Sequence, residues 1–141
     1  MELKCEGLDL RIEPQNPPDA EGWMPFQVTV AAPGFSGQFH TEMQPDDLKR
    51  FEKGLIHMEA HAGNPCEAVL AGLEPGIHIM LQSDKRGNIS GKYQFESQMH
   101  EDIPTRLSGG FSLDQTYLKP LIYGLADDLA RILDGSNRPE K

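Results

Sequence analysis

The sequence predicts an α+β fold, a curved and mainly antiparallel β-sheet of about seven strands with two amphipathic helices. Three observations carry that expectation. The stretch Phe111-Ser112-Leu113-Asp114-Gln115-Thr116-Tyr117-Leu118 takes an alternating strand straight into an amphipathic helix. Apolar residues recur at helical spacing over 48–58 and again over 118–133. The turns joining the other alternating segments are too short for the crossovers that parallel strands need.

Leu8, Leu10 and Ile12 alternate with charged residues, the period of a strand with one face on a core, and Gly7 marks a bulge or turn before it. Residues 14–25 carry four prolines and predict a surface loop. Phe26, Val28 and Val30 alternate again, Pro33-Gly34 supplies a tight turn, and Phe35 to Phe39 returns as the second arm of a hairpin. Gln44-Pro45-Asp46-Asp47 is a helix entry, with proline in the first turn and two carboxylates at the positive end of the helix dipole. Leu48, Phe51, Leu55 and Met58 form its apolar stripe, Gly54 weakens it, and Gly63 ends it.

A strand over Cys66–Ala71 follows, and Pro75-Gly76 turns the chain into Ile77, Ile79 and Leu81. Asp84-Lys85-Arg86-Gly87-Asn88 reads as a hairpin loop leading to Ile89, Tyr93 and Phe95. Residues 99–104 read as another loop before Leu107, Gly109, Phe111 and Leu113, where the paired glycines 109 and 110 predict a bulge, strong curvature or a close backbone approach. Asp114 or Thr116 caps the last helix, which starts near Tyr117, tolerates Pro120 in its first turn, and keeps its period through Leu133 until Gly135. Residues 1–135 are expected to form one globular domain, with a flexible tail at 136–141. No sequence repeat stands out.

The net charge is −9, from 22 acids and 13 bases. Residues 1–70 hold 12 acids against 5 bases, and residues 71–141 hold 10 against 8. Such a field repels phosphate backbones, which argues against direct nucleic-acid binding, and it favours basic partners. No apolar run is long enough to span a bilayer and the N-terminus has no apolar signal core, so no membrane association and a cytoplasmic location are expected. Cys5 and Cys66 belong to no Cys-x-x-Cys pair and read as free thiols.

Chemistry-bearing residues are scattered. His57 and His61 share a helical face, but His-Met-Glu-Ala-His lacks the acid placement of a zinc protease helix and has no assured third ligand. Ser112 and Cys66 lie in no nucleophile motif. Asp46-Asp47, Glu101-Asp102 and Asp127-Asp128 are adjacent pairs that point apart, and they read as solvated charges. No catalytic residue, metal ligand or cofactor is therefore expected. For partner binding, Trp23 is the aromatic candidate, although as a large aromatic it reads more readily as a core residue opening a strand. Asp46, Asp47, Glu52 and Glu59 could form an acidic helix face beside it, or an ordinary wet surface.

Trp23-Met24 opens a strand, Gly34-Phe35-Ser36-Gly37 lies in the next, and Asp46-Asp47-Leu48 is followed by Phe51 on the first helix. Leu73-Glu74-Pro75-Gly76 and Leu113-Asp114-Gln115-Thr116-Tyr117-Leu118 continue the series. In these features, over most of residues 2–133, the chain resembles the WapI-type immunity protein family of bacteria. The family implies a small α+β protein associated with contact-dependent or secreted toxins, and it supplies no catalytic residues. The resulting expectation is a non-enzymatic protein that binds and neutralises a toxin domain, for which a basic nuclease-like domain suits the acidic chain. A small-molecule-binding domain or enzyme using the concave sheet face near Gly109-Gly110 is the alternative. Oligomeric state is left open.

Overall fold

The computed structural model describes residues 1–133, the side chains of residues 98–100 excepted. Gly135 and the expected tail at 136–141 lie outside the described residues. The architecture is α+β, but its eight described strands form two antiparallel sheets of four rather than one curved sheet of seven. The first sheet runs in the order β1 (Glu2–Cys5), β2 (Leu8–Pro14), β3 (Met24–Ala32), β4 (Phe35–Met43). Helix α1 (Pro45–Ala60) then interrupts the meander. The second sheet runs β5 (Cys66–Ala71), β6 (Ile77–Ser83), β7 (Ile89–His100), β8 (Ile103–Leu113), and helix α2 (Leu118–Leu133) closes the described chain.

Each strand pairs with its sequence neighbour, so the turns set the register. β1 has a single buried leucine, Leu3, too little for a periodic signal, yet the turn at Glu6-Gly7 folds it back onto β2 with Cys5 opposite Leu8. Gly7 has φ +94°, and a Cβ there would lie 2.9 Å from the carbonyl oxygen of Gly110. Gly110 therefore meets another backbone, Gly109 instead leaves room for the Tyr93 ring, and the β7–β8 register is irregular elsewhere, between Glu96 and Met99. The expected loop at 99–104 is a correction too. β7 and β8 continue almost to each other and leave Glu101-Asp102 as a two-residue turn, with φ of 51° and 66°. Both residues adopt the left-handed conformation that such hairpin turns require, and Pro104 is tolerated because β8 is an edge strand.

One apolar cluster joins the two sheets and both helices. It includes Leu10, Ile12, Phe26 and Val28 from the first sheet, Leu70, Ile79, Leu81 and Phe95 from the second, and Phe51, Leu55, Leu121 and Leu125 from the helices. The sheets also touch at their margins, where β4 meets β7 and β1 meets β8. The Ser112 N–H donates to the Glu6 carbonyl at 3.0 Å. α1 lies on β5 so closely that a Cβ on Gly54 would be 2.9 Å from Ala68 Cβ.

Gln44 is the N-cap of α1, and its N–H donates to the Asp47 carboxylate at 2.9 Å. Asp114 caps a single 3-10 turn, Gln115–Tyr117, that leads into α2. Asp128, expected as a solvated charge, is instead buried. It accepts from the Met1 ammonium at 2.5 Å and from Arg131.

Candidate functional site

An open groove of about 840 Å³ runs along one end of the second sheet. Its floor follows from strand alternation. On β5 to β8 the side chains that do not enter the core face solvent, and register aligns Glu67 with Gln82, Gln82 with Ser90, and Ser90 with Ser112. An isolated bridge carries the row on from Ser112 to Glu6. A polar ladder thus crosses four strands and ends in a carboxylate on each side.

Asp84 and Asp114 stand at the rim with Asn88 and Tyr117. The groove lining therefore holds four carboxylates, Glu6, Glu67, Asp84 and Asp114, and no Lys or Arg. Lys92 lies one row further along the same sheet face.

The two rim carboxylates are fixed by backbone bonds. Asp84 Oδ1 accepts from the N–H groups of Arg86 at 2.8 Å and Asn88 at 3.0 Å. Loss of hydration pushes its pKa up, but these bonds, the Asn88 side chain and the Arg86 charge outweigh that and hold it below the ordinary 3.8. Asp114 is likewise lowered, by the Thr116 hydroxyl and then the Thr116 N–H. Both remain ionised through mildly acidic conditions.

The helix residues expected to form an acidic face do not assemble. Asp47 is buried and taken up by the Gln44 N–H and by Arg50. At 3.6 residues per turn, Asp46 lies roughly 120° around the helix from Glu52. Glu59 lies at the α2 flank, 3.7 Å from Lys119. The outer face of α1 carries Lys49, Arg50 and Lys53, of which Lys49 lies 3.8 Å from Asp46 and Arg50 bonds Asp47, so its charges are mixed rather than acidic. Trp23 is half-buried at the mouth of β3, and its N–H donates to Asp19 at 2.9 Å.

His57 and His61 stack with ring centroids 4.1 Å apart, as their spacing implies. No cluster of three metal-ligating side chains occurs among the described residues. Cys5 and Cys66 are free, and burial raises the Cys5 pKa to about 11, partly offset by a backbone bond from Leu8.

The groove escaped sequence reasoning because its acids come from four separate segments. Each outward polar residue fitted its own strand pattern. The row exists only once the cross-strand register is known.

A family model described as the Immunity protein WapI-like family matches residues 3–133, nearly the whole chain. The chain belongs to the WapI-like immunity family. Membership gives the coarse role as toxin neutralisation through a protein partner, in a family that is generally non-enzymatic. No curated protein matches this WapI-like chain.

Among solved structures, the crystal structure of WHY3 from Arabidopsis thaliana is similar, with TM-score 0.50 and 11% identity over 96% of this chain and 89% of that one. The structure of the plant transcriptional regulator PBF-2 has TM-score 0.49 and 10% identity, over 95% and 81%. At 11% identity the WHY3 likeness is one of fold alone.

Proposed function

We propose that this WapI-like protein neutralises a basic toxin domain by binding it in the acidic groove of the second sheet, without catalysis. The observation that carries the reading is the lining itself, four carboxylates and no base in a concavity open to a protein surface. Complementary fields accelerate encounter and suppress wrong partners, and Tyr117 at the rim adds an aromatic anchor of the type that dominates interface energetics. The groove sets carboxylate, amide and hydroxyl groups among Pro65, Ile89 and Leu113 and is open along its length, which suits a protein surface better than the enclosed, mostly apolar pockets that hold small ligands.

The test is capture from lysate of the source organism, with the bound toxin domain identified by mass spectrometry. Glu67→Lys with Asp84→Lys reverses two exposed charges, and unchanged circular dichroism verifies the fold. Retention of a basic domain should weaken from low to high salt, and charge reversal should slow association by about tenfold or more. Retention that is indifferent to both would remove the groove from the mechanism.

A further inference from the structure

We infer that the free edge of β4 is a self-pairing strand, through which two copies of this chain join antiparallel about a two-fold axis at Gly37. β4 ends the first sheet, with β3 on one side and no hydrogen-bonded strand on the other, β7 approaching it through Phe39 against Phe95, 6.0 Å between ring centroids. The closing pair Ala32 and Phe35, across Pro33-Gly34, sets the alternation of the hairpin. Backbone groups of Phe35, Gly37 and Phe39 turn toward β3, and those of Ser36, Gln38 and His40 turn to the open edge. No backbone group outside the β3–β4 pairing bonds them among the described residues.

Edge strands normally carry a charge, a proline or a bulge that blocks further pairing. β1 has Glu2 and Lys4, β5 has Glu67, and β8 has Pro104 and Arg106. From Phe35 to Thr41, β4 has no charged residue and no proline, and its register with β3 is continuous.

The occupant follows from chemistry and charge. Phe35-Ser36-Gly37-Gln38-Phe39 reads as aromatic, polar, glycine, polar, aromatic in either direction. A two-fold axis at Gly37 sets Ser36 opposite the partner copy's Gln38, where each pair exchanges two backbone bonds, and Phe35 opposite the partner copy's Phe39. A Cβ on Gly37 would meet nothing within 4 Å, so the axis position is open.

Phe35 is 66% exposed, and with Val30, Phe39, Phe95 and Leu107 it lines a mainly apolar groove of about 360 Å³ that the facing aromatic pair would cover, its one cation, Arg106, being paired with Glu96 at 2.6 Å. The twenty residues Gly22–Thr41 contain no Asp, Glu, Lys or Arg in a chain of charge −9. Two such copies meet there without opposing carboxylates, whereas a basic partner would find no counter-charge.

The test is sedimentation equilibrium of the whole chain from low to high micromolar concentration. The expected result is association toward twice 15.7 kDa that high salt does not weaken. Gln38→Pro removes an edge N–H without touching the β3 pairing, and Phe35→Lys places a charge at the aromatic contact. Each should weaken association by about tenfold or more while circular dichroism and Tm stay near those of the parent. A monomer at every concentration, or a dimer retained in both folded variants, would overturn the assignment.

Discussion

Asp128 joins the two ends of the described chain, because the Met1 ammonium that it accepts also donates to the Ile12 carbonyl at 2.9 Å. The Met1 and Asp128 side chains are 3% and 8% exposed, so removing the carboxylate strands a buried positive charge. Asp128→Ala should cost about 3–5 kcal/mol in chemical denaturation. Asp127→Ala, at an exposed neighbour, should fall within about 0.5 kcal/mol of the parent. The pair reads as identical in composition, and helical phase alone separates them, since 128 follows Leu121 and Leu125 onto the buried face.

A second residue-scale outcome concerns pH. The folded pKa of Asp114 lies below 3.8, so the stability linked to its charge is present above that value and is lost as pH falls through the folded pKa. Asparagine caps a helix without titrating. The stability advantage of the parent over Asp114→Asn should therefore hold at neutral pH and shrink below 3.8, as followed by thermal melts across the acid range.

At the scale of elements, Gly54 has a positional purpose that its low helix propensity conceals. In an isolated helix, alanine at that position would gain about 1 kcal/mol. Here the helix backbone rests against Ala68, where any Cβ lies within 2.9 Å of a neighbour. Gly54→Val should destabilise by about 1–3 kcal/mol, measured by urea unfolding, because α1 must lift from β5.

The helices, the Asp84–Asn88 turn and most strands were legible because apolar period and turn residues are local signals. β1 was too short to show a period. The division into two sheets was not legible, since alternation shows which face is buried but not which strand lies alongside. The same limit hid the groove, as its acids at 6, 67, 84 and 114 acquire meaning through register.

On the scale of the whole molecule, charge is sorted rather than spread. Acid gathers on one end of the second sheet, the outer face of α1 mixes both signs, and the β3–β4 hairpin is neutral from Pro25 to Thr41. Salt should consequently separate the two proposed contacts, weakening capture in the groove and sparing the self-paired edge.

The order of elements also bears on how the chain folds as it leaves the ribosome. Four strands and a 16-residue helix are made first, then four more strands and a second 16-residue helix. Every ladder joins consecutive strands, so the first meander can zip up while the remainder is still being synthesised. Helix α1 cannot finish with it, because the surface that receives Phe51, Leu55 and Met58 includes β5 and α2, which emerge later. The nascent first half therefore waits with an apolar stripe uncovered, and burial of that stripe makes completion of the second half the step that locks the first.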